Sequence, residues 1–179
     1  MILILGGSGS GKSEYAEQWM QKAKAGEKYY IATMKVFGEE GRERVKKHRA
    51  QREGKGFLTI EQTENVEESL SKINTPKEAW VLLECLSNLL ANEMFTENGI
   101  EDSKKIFEKI LKGLLKMDQE LSGLVIVSNN IFEDCCHYEE GSLEYRRILG
   151  RLNEALAKEA SRVVEVVAGI PILCKEEKK

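Results

Sequence analysis

The amino-acid sequence predicts an α/β fold in which helices cover both faces of a mostly parallel sheet. Short apolar, β-branched runs alternate along the chain with longer amphipathic segments, which is typical of strand–helix–strand units. The runs at 81–83 and 125–127 are apolar at every position, as expected of strands that are buried on both faces. At 179 residues the chain has the length of one domain, and we expect residues 1–179 to form it.

Strands and helices are expected to alternate from the first residues to the last. The predicted strands are 2–5, 29–33, 57–60, 80–84, 124–128 and 163–167. The predicted helices are 14–24, 39–52, 65–73, 86–94, 101–121 and 143–160. In the fifth of these helices one apolar face is predicted, because four apolar residues recur at helical spacing: Ile106, Ile110, Leu114 and Met117. The charged residues 175–179 are expected to form a frayed tail.

The most specific motif directly follows the first predicted strand. Residues 6–13 read GGSGSGKS and match the pattern G-x-x-x-x-G-K-[ST] at every position, between a strand and a helix. Glycines let the backbone curl so that its N–H groups converge on phosphate oxygens, and the N-terminus of the next helix adds positive charge. Lys12 would reach the β- and γ-phosphates, and the Ser13 hydroxyl would ligate Mg²⁺. The sequence therefore predicts a P-loop nucleotide-binding fold, with a nucleoside triphosphate at the carboxyl ends of the strands.

A P-loop site needs an acidic residue at the end of a second buried strand, where it holds the magnesium shell. The strand predicted at 80–84 ends in Glu84, which is therefore the candidate. The alternative is that Glu84 only caps the helix that follows, through the helix dipole.

Composition argues against several other classes of protein. The 27 basic and 30 acidic residues give a net charge of −3, whereas a general nucleic-acid surface has a strong basic excess. No apolar stretch reaches the roughly 18–20 residues of a membrane span, and the apolar start is too short for a signal peptide. The four cysteines, Cys85, Cys135, Cys136 and Cys174, are expected to be reduced thiols in the cytoplasm. Cys135-Cys136-His137 lacks the spacing of a structural zinc site.

The basic segment 42–52 contains a second candidate group. If this segment is helical, Arg44, His48 and Arg52 lie on one face. The basic neighbours would lower the pKa of His48, and a neutral imidazole can attack phosphorus and carry a phosphoryl or nucleotidyl group. Spacing alone favours a plainer interpretation, which is a solvated basic helix face with an incidental histidine.

Taken together, these segments resemble the bifunctional adenosylcobinamide kinase/adenosylcobinamide-phosphate guanylyltransferase family of cobalamin biosynthesis. The similarity extends, in order, over nearly the whole chain. The matching motifs are GGSGSGKS at 6–13, YIAT at 30–33, R-V-x-x-H-R at 44–49, T-x-E at 59–61, LLECLS at 82–87, VSN at 127–129 and LGRLNEALAKEASRVVEVVAGIPI at 149–172. Many proteins share the phosphate loop, whereas YIAT followed by R-[IV]-x-x-H is far more specific.

The resemblance implies two reactions on adenosylcobinamide. ATP or GTP would phosphorylate its aminopropanol hydroxyl, and GMP from GTP would then be transferred to that phosphate. It also implies that His48 carries the guanylyl group, that Lys12 is catalytic, that Ser13 and Glu84 hold Mg²⁺, and that the enzyme is a homotrimer. The nucleotide-binding residues that it implies are Gly6, Gly7, Ser8, Gly9, Ser10, Gly11, Lys12, Ser13, Ala32, Thr33, Met34, Arg49, Ala50, Gln51, Arg52, Glu61 and Glu84.

Two other functions remain open at this point. One is a P-loop kinase of another small alcohol or nucleotide, in which His48 is a bystander. The other is a non-catalytic, nucleotide-dependent switch, although the chain has no N-K-x-D guanine-specificity motif. The family often reads N-E-V-G where this chain has Asn129-Asn130-Ile131-Phe132, so the loop at 129–141 differs from the family pattern.

Overall fold

The computed structural model describes residues 1–23, 26–35, 38–39, 43, 54–97, 99–131 and 140–177. Within them, one sheet consists of β1 (Ile2–Gly6), β2 (Lys28–Ala32), β3 (Phe57–Glu61), β4 (Trp80–Glu84), β7 (Gly123–Asn129), β8 (Arg162–Val167) and β9 (Ile170–Glu176). A separate hairpin consists of β5 (Phe95–Thr96) and β6 (Gly99–Ile100). The helices are α1 (Lys12–Lys22), α2 (Leu86–Met94), α3 (Ser103–Glu120) and α4 (Glu140–Glu159), with 3₁₀ helices at Val66–Lys72 and Pro76–Glu78.

The strand order of the sheet is β3-β2-β4-β7-β1-β8-β9. β9 is antiparallel to β8, and all the other neighbouring strands are parallel, which confirms the predicted mostly parallel α/β fold. Because parallel strands end at the same edge of a sheet, the carboxyl ends of β3, β2, β4, β7 and β1 lie side by side. The register pairs Ala32 with both Glu61 and Glu84, and it pairs Gly6 with Asn129.

Helices cover both faces of the sheet, as predicted. Successive strand residues point to opposite faces. Leu3 and Leu83 accordingly belong to the core shared with α2, α3 and α4, whereas Ile4 and Leu82 belong to a smaller core against α1. The apolar face predicted for α3 is buried at all four positions, which are Ile106, Ile110, Leu114 and Met117.

The α-helix predicted over 65–73 is wrong in type, because Val66–Lys72 is a 3₁₀ helix. Ser69 Oγ donates to the carbonyl of Val66 at 2.6 Å, and Ser71 Oγ donates to that of Glu68 at 2.7 Å. Such bonds from serine hydroxyls to nearby carbonyls compete with the regular α-helical pattern.

The final strand of the sheet was not predicted. The tail expected at 175–179 is wrong for its first residues, because Lys175 and Glu176 pair with β8 as part of β9. The chain reverses at Ala168-Gly169, where both φ angles are positive (49° and 80°), as in the two-residue turns that favour hairpins. β9 is an edge strand, where Pro171 is tolerated.

The other predicted elements are found with ends shifted by a few residues, except for the helix at 39–52. That helix lies almost entirely outside the described residues, which include only 39 and 43 of it.

We predict that Ala168→Gly raises the free energy of unfolding by roughly 0.5–1 kcal/mol, because a Cβ is disfavoured at positive φ. Ala155→Gly, inside α4, is the matched control and is expected to lower it by about 1 kcal/mol. Urea denaturation of both variants measures the two changes. A loss of stability in Ala168→Gly equal to that of the control would contradict a left-handed turn.

Candidate nucleotide site

Residues 6–13 form a tight loop that connects β1 to α1. Gly9 and Gly11 have φ angles of 70° and 89°, in the left-handed region that favours glycine. Gly11 caps α1, which begins at Lys12. The first N–H groups of a helix have no partner within the helix, so this loop leads into backbone donors at the carboxyl edge of the sheet.

Main-chain hydrogen bonds connect the loop to the segments that follow its two neighbouring strands, β7 and β8. The Asn130 N–H, which follows β7, donates to the Gly6 carbonyl at 3.0 Å. The Gly169 N–H, in the β8–β9 turn, donates to the Ser10 carbonyl at 2.8 Å. A Cβ on Gly6 would lie 2.7 Å from the backbone oxygen of Val166 and would also collide with Ser10 Oγ. Only glycine fits at position 6 without movement of the backbone.

Lys12, Ser13 and Glu84 lie together beside this loop. The Lys12 side chain is only 8% exposed, and its Nζ donates to the Gly7 carbonyl at 3.1 Å. Ser13 Oγ donates to Glu84 Oε1 at 2.7 Å, although 71 residues separate the two in the chain. The structure therefore brings the predicted acidic residue to the predicted metal-binding hydroxyl.

The oxygen atoms of Ser13 and Glu84 suit a magnesium ion. Mg²⁺ prefers hard oxygen ligands, and it is usually held by one or two protein groups together with phosphate oxygens and water. Among the described residues, no group of three or more His, Cys, Asp and Glu side chains could hold a metal ion. The two oxygen donors of Ser13 and Glu84 fit a Mg²⁺ ion that arrives with a nucleotide.

The remaining described candidates follow or end β2 and β3. Ala32 and Glu61 are the last residues of these strands, and Met34 is half-buried just beyond β2. Thr33 is fully buried: its Oγ1 donates to the Cys85 carbonyl and accepts from the Cys85 N–H, both at 2.8 Å. The Thr33 hydroxyl thus joins the ends of β2 and β4.

The remaining implied residues belong to the basic segment 42–52. His48 and the implied nucleotide contacts Arg49, Ala50, Gln51 and Arg52 lie outside the described residues.

Sequence reasoning missed a polar network next to Glu84. Ser87 Oγ lies 2.9 Å from Cys85 Sγ and accepts from Asn129 Nδ2 at 2.7 Å, and the Ser87 carbonyl accepts from Tyr145 Oη at 2.9 Å. Burial, and then the charge of Glu84, raise the pKa of the Cys85 thiol, and burial raises the pKa of Tyr145 to about 12. Both groups therefore stay protonated near neutral pH. LLECLS contains Cys85 and Ser87, but their partners come from β7 and α4, which local sequence does not reveal.

Comparison with known proteins identifies the family. The model of the family described as cobinamide kinase / cobinamide phosphate guanyltransferase, CobU, matches residues 2–174. The chain belongs to this family. The resemblance noted from the sequence motifs is thereby confirmed.

Two relatives match over nearly their whole length. The chain is 29% identical to the "bifunctional adenosylcobalamin biosynthesis protein CobU" of Escherichia coli, covering 98% of this chain and 99% of the relative. It is 30% identical to the "bifunctional adenosylcobalamin biosynthesis protein CobP" of Pseudomonas aeruginosa, covering 98% of this chain and 97% of the relative.

Solved structures support the fold. The flagellar accessory protein FlaH of Methanocaldococcus jannaschii superposes with a TM-score of 0.53 at 12% identity, over 98% of this chain and 78% of that one. An ATPase of a bacterial type III secretion system gives 0.52 at 12% identity, over 92% of this chain and 50% of that one. Among the described residues, no helix has the length and apolar character needed to cross a membrane.

We predict that Gly6→Ala lowers the free energy of unfolding by about 1–3 kcal/mol, because the new methyl group collides with the Val166 backbone. Gly7→Ala is the matched control: a Cβ there would meet nothing within 4 Å. The control is expected to leave stability unchanged or to raise it by up to about 1 kcal/mol. Chemical denaturation compares the two, and equal destabilisation would contradict the close approach at Gly6.

Proposed function

We propose that this chain phosphorylates adenosylcobinamide with a nucleoside triphosphate and then transfers GMP from GTP to the product, giving adenosylcobinamide-GDP. The observation that carries the proposal is the hydrogen bond between Ser13 and Glu84 beside the phosphate loop, in a chain of the cobinamide kinase family. That arrangement provides the groups that phosphoryl transfer needs at one edge of the sheet.

The kinase step depends on position and charge more than on covalent chemistry. The loop N–H groups and the N-terminus of α1 bind the phosphates, and the buried ammonium of Lys12 turns from the Gly7 carbonyl to the β- and γ-phosphates. Ser13 and Glu84 would hold Mg²⁺, which would neutralise further phosphate charge. These residues stabilise the negative charge of the transferring group.

The guanylyl step proceeds through His48. One imidazole nitrogen attacks the α-phosphorus of GTP, a nitrogen–phosphorus bond forms, and pyrophosphate leaves. A phosphate oxygen of the phosphorylated corrinoid then attacks the same phosphorus, and the nitrogen–phosphorus bond breaks. The support for this step is the R-V-x-x-H-R motif at 44–49.

Further assignments complete the proposal. The guanine nucleotide is bound by residues 6–13, 32–34 and 49–52 together with Glu61 and Glu84. Residues 1–179 act as one domain, in a homotrimer, in the cytoplasm. Family membership over residues 2–174 supports these assignments.

Incubation with GTP labelled at the α-phosphate tests the guanylyl step. The denatured wild-type chain is expected to retain an acid-labile, base-stable label, and His48→Asn is expected to abolish it because the nucleophile is lost. His137→Asn removes the other of the two histidines in the sequence and is expected to keep the label.

A label that survives in His48→Asn would contradict the role of His48. Phosphate transfer to another alcohol, but not to adenosylcobinamide, would identify a different kinase. No transfer from ATP or GTP to any acceptor would favour a nucleotide-dependent switch.

Glu84→Gln is expected to remove most of the magnesium dependence of nucleotide binding and to lower the phosphoryl-transfer rate roughly 100-fold, since a neutral amide holds the ion poorly. Nucleotide affinity measured with and without Mg²⁺ checks the first effect. Glu165→Gln, within β8, is the control and should keep the dependence of the wild type. Equal magnesium dependence in Glu84→Gln and the wild type would refute a metal-binding role.

A further inference from the structure

Asn129 ends the strand that separates the phosphate loop from Glu84. β7 lies between β1 and β4, and Asn129 is paired with Gly6, the first residue of the phosphate loop. Val127, two residues earlier, belongs to the core against α1. Because strand residues alternate between faces, the Asn129 side chain belongs to the face that also carries Glu84 and the start of α1.

The Asn129 amide group is held in one orientation. Its Nδ2 donates to Ser87 Oγ at 2.7 Å, and the Ser87 side chain is only 3% exposed. Cys85 Sγ and Tyr145 Oη fix Ser87 in turn, through its hydroxyl and its carbonyl. Among the described residues, no hydrogen bond reaches Asn129 Oδ1. The half-buried Asn129 therefore offers an acceptor oxygen at the strand position paired with the first residue of the phosphate loop.

The next residue is also an asparagine, but it has a different environment. Asn130 lies one position along the chain, and its Nδ2 donates to Glu165 Oε1 at 3.1 Å. Glu165 follows Val164 of the α1-side core by one residue, so it belongs to the other face of the sheet. The chain thus offers two neighbouring carboxamides, of which only Asn129 belongs to the face of the phosphate loop.

We propose that Asn129 Oδ1 accepts a hydrogen bond from the hydroxyl group that attacks the γ-phosphate and aligns it for attack. The proposal rests on the kinase activity proposed above. An acceptor oxygen is repelled by phosphate oxygens but attracts an O–H group, so its partner is the phosphate acceptor rather than the nucleotide. Without an acceptor alcohol, water occupies the same position.

The reaction balances without Asn129 taking a proton. A bond forms between the hydroxyl oxygen and the γ-phosphorus, and the bond from that phosphorus to the β–γ bridging oxygen breaks. The nucleoside diphosphate leaves with the electron pair, and the hydroxyl proton passes to solvent. Asn129 is an amide and too weak a base to hold that proton, so its contribution is orientation alone.

Asn129→Ala, with Asn130→Ala as its matched control, tests the proposal. Three quantities are measured for each variant and for the wild type: the kcat of γ-phosphate transfer from ATP to adenosylcobinamide, the rate of ATP hydrolysis without an acceptor, and the Kd of Mg²⁺-ATP. Asn129→Ala is expected to lower both rates roughly 10- to 100-fold, the cost of a misaligned nucleophile. The Kd is expected to stay within about twofold of the wild type, which also shows that the loop is intact.

Ser87→Ala provides a second variant that keeps the Asn129 oxygen but releases its Nδ2. It is expected to lower both rates by a smaller factor than Asn129→Ala, again with an unchanged Kd. If Asn129→Ala retains the rates of Asn130→Ala, the proposal is wrong. A rise in Kd as large as the fall in rate would also overturn it, because Asn129 would then bind the nucleotide.

The same measurements separate this inference from the proposed function. If the wild type hydrolyses ATP in an Asn129-dependent way but does not phosphorylate adenosylcobinamide, the substrate assignment falls and the role of Asn129 stands. If the wild type phosphorylates adenosylcobinamide and Asn129→Ala is equally active, the function stands and the role of Asn129 falls. A wild type with neither reaction overturns both.

Discussion

The parallel pairing of β4, β7 and β1 is the constraint on which the candidate site depends. These strands are buried on both faces, so a shift of one residue would turn apolar side chains out of both cores. The register that satisfies both cores also fixes the ends of the strands. It brings Glu84 to Ser13 across 71 residues of chain, and it places Asn129 beside Gly6. The packing of the core therefore determines the geometry of the phosphate site.

The two faces of the sheet differ in how many buried apolar residues they hold. The face against α2, α3 and α4 holds most of the buried apolar residues and supplies most of the core. The face against α1 holds fewer, and its strands end in Glu61, Ala32, Glu84 and Asn129. These ends lie along the same carboxyl edge of the sheet as the loop that leads into α1. Stability thus depends largely on one set of side chains, and the proposed binding depends on another set in the same strands.

The sequence predicted those features that local patterns encode. The phosphate loop is contiguous, and the acid at the end of β4 follows from the rule that parallel strands share a carboxyl edge. The sequence does not predict β9, because its residues are largely exposed and include Pro171. They therefore lack the pattern of a buried strand. The role inferred for Asn129 depends on strand register, which no local window contains. His48 is a prediction from sequence alone.

The contact between the β8–β9 turn and the phosphate loop joins one main-chain N–H to one main-chain carbonyl. Side chains take no part in that bond, so a substitution in the turn preserves it as long as the backbone keeps its path. An inserted or deleted residue would move the Gly169 N–H away from the Ser10 carbonyl, and the phosphate loop would lose this hydrogen bond. Outside the two turn positions with positive φ, evolution is therefore free to vary the side chains of this hairpin, but its length is constrained.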